Sequence, residues 1–347
     1  VITGKKINKE YGSDFHYFEM ENSGSPVSHF CDPGYVLFFS GRAALYNLLK
    51  FGIDKHQWEL VSFPDYYCHE VVDFCKSLPI EVTYYAYNPL YPDALPSWDD
   101  NPKHVFVNVD FFGLGSMNTG FIKRSYIIED LTHNLGGVAS SKAHYCFGSL
   151  RKQLPVAVGG FCFGNANIGA ALDENAIANH VALQKLTAMF LKTEYLYGRL
   201  ESKDLYRKLY VEGEEEFSSA ETNSRLPEII KAQLMALAAG DLINRTYANL
   251  QYVLNKLQFK MGVRLFSGIL KNALYLPLIC DNPSFREQLR IYLIQKQIYP
   301  AVLWPHQFTT LNIDVQQRVL FVHVDFRYSE DELDYIIQTL NNFNAEE

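Results

Sequence analysis

One lysine carries the strongest chemical suggestion in this chain. Lys152 follows an apolar stretch, His144 to Phe147, through a Gly148-Ser149 turn, and Arg151 precedes it; Gly159-Gly160 then leads into a further apolar run. An amine at the exit of a buried strand can be held over a cleft and partly desolvated, which makes a lysine nucleophilic toward a carbonyl. Ser149, three residues earlier, offers a hydroxyl to an anionic group. Glycine at 159 and 160 lets the backbone pass close to a bulky neighbour. Ser-x-x-Lys alone is a common pattern, and on that pattern by itself Arg151 and Lys152 read as solvated loop charges.

Two further constellations add weight. Tyr126-Ile-Ile-Glu129-Asp130-Leu-Thr-His133 places an acid at the carboxyl end of an apolar strand, the edge at which open α/β sheets bind ligands. Pyridoxal 5′-phosphate, the cofactor that pairs with an imine-forming lysine, needs an acid against its ring nitrogen so that the ring stays protonated and acts as an electron sink. Asp130 suits that role. Glu129 alternates to the opposite face, and His133 comes within reach of the ring or its hydroxyl. On local grounds Asp130 reads equally as a turn or cap residue, and His133 as a structural histidine. Ser40-Gly41-Arg42-Ala43-Ala44-Leu45 reads as a loop opening a helix, where free amides and the helix dipole favour phosphate; the other reading is an ordinary helix with Ser40 as N-cap.

These residues need a sheet to position them. Short apolar runs at Leu60–Phe63, Val82–Tyr85, His104–Val109, Tyr126–Ile128, His144–Phe147 and Gly160–Phe163 read as strands, alternating with helical stretches such as Arg42–Leu49 and His69–Lys76. That alternation predicts a mostly parallel sheet covered on both faces. Asn175–Leu209 and Leu226–Leu257 read as long helical regions. A smaller unit follows: strands at Ala273–Ile279, Ala301–Trp304 and Val319–Val324, a helix at Ser284–Gln295, and a last helix capped by Ser329. The predicted organisation is an N-terminal arm at 1–33, a large cofactor-binding domain at 34–225, and a long helix with a small C-terminal α/β domain at 226–347. Leu234, Leu237 and Leu242 read as core, Tyr84, Tyr85, Tyr87 and Tyr91 as sheet-edge packing, and Trp304-Pro305-His306 as a structural turn or the lip of a substrate mouth.

The bulk numbers set bounds. With 347 residues, 48% hydrophobic and 20% charged, the chain has the composition of a globular protein with more than one core. A formal net charge of −8 without a basic stretch argues against nucleic acid. No apolar run reaches the length of a membrane span, so the expected place is the cytoplasm. Cys31, Cys68, Cys75, Cys146, Cys162 and Cys280 are scattered without a CxxC pair and read as buried free thiols, with no metal site expected.

In order, these segments resemble the DegT/DnrJ/StrS-type aminotransferases, a pyridoxal-phosphate family of fold type I. Ser40–Leu45 is similar to the family's Ser-Gly-Thr-Ala-Ala-Leu loop, Phe63-Pro64-Asp65-Tyr66-Tyr67 to its Val-Pro-Ala-Tyr-Thr turn, and Glu129–His133 to its Glu-Asp-Ala-Ala-Gln. Ser149–Gly160 is similar to its lysine loop, Thr222-Asn223-Ser224-Arg225-Leu226 to its Tyr-Asn-Tyr-Arg-Met, and the stretch from Asp325 to its closing pattern. Arg42 stands where the family has a small hydroxyl residue, His133 where it has glutamine, and Val158 where it has glutamate. Its long sugar-nucleotide loop is not recognisable.

The resemblance implies a large domain with a mostly parallel mixed sheet between helices, plus a smaller C-terminal α/β domain. It implies Lys152 as the Schiff-base lysine and Asp130 as the ring-nitrogen partner, with His133 beside the ring. Ser40, Gly41, Arg42, Ala43 and Ser149 would lie at the phosphate, and Tyr67 or His69 would stack on the ring. Asn223 would reach the phosphate of a neighbouring subunit, making a homodimer with the site at its interface. The implied activity is amino transfer between an amino donor and a keto acceptor, a sugar-linked one included. A lyase or dehydratase outcome, or a non-catalytic binding protein on the same fold, are the alternatives.

Overall fold

The computed structural model describes residues 6–18, 29–90, 95–169, 172–219, 223–258, 262–266, 273 and 275–344; Tyr91 and Thr222 lie outside them. The main sheet starts with β2 (Tyr35–Phe38), after a short strand β1 (Tyr11–Gly12) in the arm. Then come α1 (Gly41–His56), β3 (Leu60–Pro64), α2 (His69–Cys75), β4 (Glu81–Tyr85), β5 (His104–Val109), β6 (Tyr126–Asp130), β7 (Tyr145–Ser149) and β8 (Gly160–Phe163). The sheet has seven strands in the order β2-β8-β7-β6-β5-β3-β4. β4, β3, β5, β6 and β7 run parallel, and β8 and β2 close one side antiparallel. The central strands are buried on both faces, as their unbroken Val, Ile and Phe runs require.

The helical middle is more divided than its sequence suggests. The first region is two helices, α3 (Ala176–Leu196) and α4 (Asp204–Phe217). Gly198, at φ +72°, ends α3 in a left-handed turn that an L side chain resists. The second region is α5 (Glu228–Ala236) and α6 (Ala239–Lys256), parted where Leu237 takes extended angles and buries its side chain.

The small unit holds β9 (Val263–Leu265), β10 (Tyr275–Cys280), α7 (Pro283–Gln295), β11 (Ile298–Tyr299), α8 (Thr310–Arg318), β12 (Val319–His323) and α9 (Glu330–Asn342). Its sheet is antiparallel, β12-β10-β9. Ser329 caps α9 in a reciprocal capping box with Glu332. The strand expected at Ala301–Trp304 is not formed. Ala301 makes one isolated bridge to Phe321, and Trp304, at φ +50°, turns the chain out of the sheet toward the large domain.

The arm ties the two parts together. β1 pairs with β11, Tyr17 N–H donates to Met189 O of α3 at 3.0 Å, and buried Lys192 of α3 pairs with Glu10 at 2.9 Å. Arg327 grips Asp325 through two bonds of 2.7 and 2.8 Å and also donates to the Ser13 and Asp14 carbonyls. The closing Asp-Phe-Arg stretch is thus an anchor for the arm.

Candidate active site

The candidate residues gather at the carboxyl ends of β3, β6 and β7 and at the start of α1. Lys152 lies one short turn beyond β7. It is exposed, and its amine makes no hydrogen bond or ion pair among the described residues. The adjacent Arg151 guanidinium, then desolvation by the surrounding walls, brings its pKa down from 10.5 to about 8. The amine is solvent-accessible, and its charge acts on both the Cys68 thiol and the His133 ring.

Asp130 ends β6 and is 5% exposed. Its carboxylate accepts from the Tyr67 hydroxyl and from the Thr132 amide at 2.9 Å. Burial pushes its pKa up, and those two donors pull it back. Thr132 links the acid to the lysine strand, since its hydroxyl accepts from Ser149 N–H at 3.1 Å. Its carbonyl in turn accepts from Gln153 Nε2 at 2.9 Å. Glu129 points to the other face and accepts from Ser116 and Ser141.

The loop before α1 lies directly on the lysine strand. A Cβ on Gly41 would sit 3.1 Å from Ser149 Cβ, and one on Gly160 would fall 2.3 Å from Ser40 C and O. Gly160 is therefore required by the chain's own loop, and Gly159, at φ +138°, by its backbone angle. Ser40 is the N-cap: its Oγ accepts from Ala43 N–H at 3.0 Å. Ala43 therefore has no free amide, and its side chain is core. The amides of Gly41 and Arg42, at the first turn of α1, have no hydrogen-bond partner among the described residues. The Arg42 side chain turns away to Ser218 Oγ at 3.4 Å and lies over Phe74 and Phe217.

Tyr67 is fully buried, with its hydroxyl on Asp130 and its ring stacked on Phe63. Its hydroxyl orients the acid. His69 packs on Phe308 and Tyr84. His133 is buried against Phe112 and Trp304, with ring centroids at 5.6 and 5.3 Å, and those two rings also pack on each other at 5.3 Å. Burial, then the Lys152 charge, lowers its pKa to about 3, so it is neutral near pH 7. Asn223 donates to Asp173 Oδ2 at 3.1 Å and makes no side-chain hydrogen bond to the other candidates among the described residues.

No protein-family model matches the chain, and no curated protein matches it in sequence. Solved structures do. Helicobacter pylori PseC, an aminotransferase of pseudoaminic acid biosynthesis, is 12% identical over 96% of this chain and 98% of its own, with TM-score 0.62. A DegT DnrJ EryC1 StrS aminotransferase from Brucella abortus is 17% identical over 90% and 86%, with TM-score 0.58. NtdA from Bacillus subtilis, solved with its cofactor PMP, is 13% identical over 88% and 72%, with TM-score 0.59. The chain has the fold of these aminotransferases, fold type I.

Two site residues escaped the sequence reading. Cys68, at the turn before α2, lies within the fields of both Lys152 and Asp130, and burial raises its pKa. The sequence marked it only as one thiol of six; the five cysteines with described side chains are free. Thr132 was passed over because its role, bridging β6 and β7, exists only once those strands pair.

Proposed function

We propose that this chain is a pyridoxal-phosphate-dependent aminotransferase with Lys152 as its imine-forming lysine. The observation that carries the reading is the unpaired Lys152 amine, with its pKa lowered to about 8, one short turn beyond the strand that lies beside Asp130's strand and against the Ser40–Gly41 loop. The residues fit the cofactor: an accessible amine for the aldehyde, Asp130 for the ring nitrogen, and the Gly41 and Arg42 amides with the Ser149 hydroxyl for the phosphate.

Bound there, the cofactor supplies an electron sink that lets a proton leave the substrate's amino-bearing carbon. Asp130 holds its negative charge toward the ring nitrogen, and the Tyr67 hydroxyl and Thr132 amide keep its carboxylate oriented and favour that charge. Lys152 Nζ takes and returns the proton, and a pKa near working pH suits both tasks. His133 offers a neutral ring edge, so it adds no positive charge beside the lysine. His133, Phe112 and Trp304 pack as a three-ring cluster that shuts water out of that wall.

The substrates on this reading are an amino donor and a keto acceptor. A sugar-linked acceptor is proposed from the likeness to the sugar aminotransferases. The working unit is a homodimer in which Asn223, partly exposed and held by Asp173 of its own chain, reaches the neighbouring subunit's phosphate.

The test is spectroscopic. Mixed with pyridoxal phosphate and then with an amino donor, the protein should pass from the yellow form to the pyridoxamine form, and Lys152→Ala should not. Binding without conversion by any donor in a broad amino-acid panel would contradict amino transfer.

A further inference from the structure

A recess lies on the face of the sheet opposite to Asp130. It encloses about 320 Å³, and its wall includes Asn108, Asp110, Glu129, Ser116, Ser141 and Lys142. The β5–β6 register sets Asn108 beside Glu129, and Asp110, two residues on from Asn108, shares that face. Asn108, Asp110 and Glu129 are 4, 4 and 7% exposed.

None of the three meets a positive charge. Among the described residues Glu129 accepts from two serine hydroxyls. Asp110 accepts from Gly115 N–H at 2.9 Å and Asn134 Nδ2 at 2.7 Å. These donors are neutral, and neither acid makes an ion pair among the described residues. A buried carboxylate calls for a compensating charge. Asn108 spends its Nδ2 on Met117 O at 2.9 Å, which leaves its buried Oδ1 with no donor. The unmet needs of this wall are all for donors and positive charge. Among the described residues no group of three or more His, Cys, Asp or Glu is gathered as a metal site would require.

We propose that this recess binds a small organic cation carrying a primary ammonium group. Three N–H donors and one positive charge answer Asn108 Oδ1 and the two carboxylates together, and the volume leaves room for an alkyl chain behind the ammonium. Burial raises Asp110's pKa, and Asp110 in turn raises that of Asp130. A cation held here therefore favours the charged form of the acid on the other face, coupling this recess to the Lys152 cleft.

Calorimetric titration of the full chain with putrescine, at ionic strength held constant with sodium chloride, tests the proposal. The titration is run on the cofactor-loaded protein before and after borohydride, because reduction removes any reaction of the amine in the Lys152 cleft. Expected are saturable binding that survives reduction, none by tetramethylammonium (which has no N–H), and a loss of roughly tenfold in affinity in Glu129→Gln. Lys142 is exposed at the rim, so Lys142→Glu keeps the fold, trades a repelling charge for an attracting one, and should tighten binding by roughly threefold. Binding that borohydride abolishes, equal binding of tetramethylammonium, or an affinity that neither variant changes would overturn the proposal.

Discussion

Replacing Arg151 with methionine should slow cofactor capture at neutral pH without touching the reacting lysine. Arg151 is the largest cause of the lowered Lys152 pKa, ahead of desolvation, and Glu214 works against both. At a pKa of about 8, roughly a tenth of Lys152 is free amine at pH 7; at the unshifted 10.5 the share is roughly one in three thousand. Methionine keeps apolar contact with Phe217, over which Arg151 now lies at 4.7 Å, and removes the charge. Burial remains, so the pKa should return only part of the way, to ~9 or above, and the amine at pH 7 should fall about tenfold. The assay is the rate of imine absorbance with pyridoxal, which has no phosphate, so that a weaker phosphate grip does not enter. Rate against pH should inflect near 8 in the wild type and in Arg151→Lys, and higher in Arg151→Met. An unmoved inflection in Arg151→Met would refute the idea that this neighbour tunes the lysine.

Three other outcomes follow. Gly160→Ala places a Cβ 2.3 Å from the Ser40 carbonyl; neither backbone can yield cheaply, so denaturant unfolding should show a loss of about 1–3 kcal/mol together with weaker cofactor binding. Asp325 is held far below the usual carboxylate range by Arg327 despite its burial. A depressed native pKa stabilises the fold above the unfolded value of ~4, and that stability is lost progressively as the solution is acidified below it; Asp325→Asn should cost about 3–5 kcal/mol at pH 7, and its acid unfolding followed by fluorescence should set in at higher pH and depend less steeply on pH than that of the wild type. Asn223→Ala should weaken cofactor affinity in the assembled dimer and leave the unfolding midpoint of the cofactor-free chain unchanged; unchanged affinity would remove Asn223 from the phosphate site.

Much of the large domain was legible because its strands are local signals. β5 and β8 fall on the predicted residues, since each is an apolar run bounded by polar or glycine residues. β6 runs two residues further than its apolar core, because Glu129 and Asp130 find hydroxyl and amide partners that permit burial. What the chain order hides is long-range. Tyr67 and Asp130 are 63 positions apart, so the hydrogen bond from the tyrosine to the acid is not visible in the chain order. Gly160 was singled out for close approach, and the body that approaches is the Ser40–Gly41 loop. Ala301–Trp304 has the composition of a strand, but its neighbours offer one bridge, and Trp304 gains more by stacking on His133.

The central claim is that one lysine of this chain bonds the cofactor. Borohydride reduction of the pyridoxal-phosphate-loaded protein, followed by proteolysis and mass spectrometry, reads this directly. The expected result is a single pyridoxyl-phosphate label on Lys152, absent in Lys152→Ala. A label on another lysine in the wild type, or labelling in Lys152→Ala equal to that of the wild type, would contradict the account.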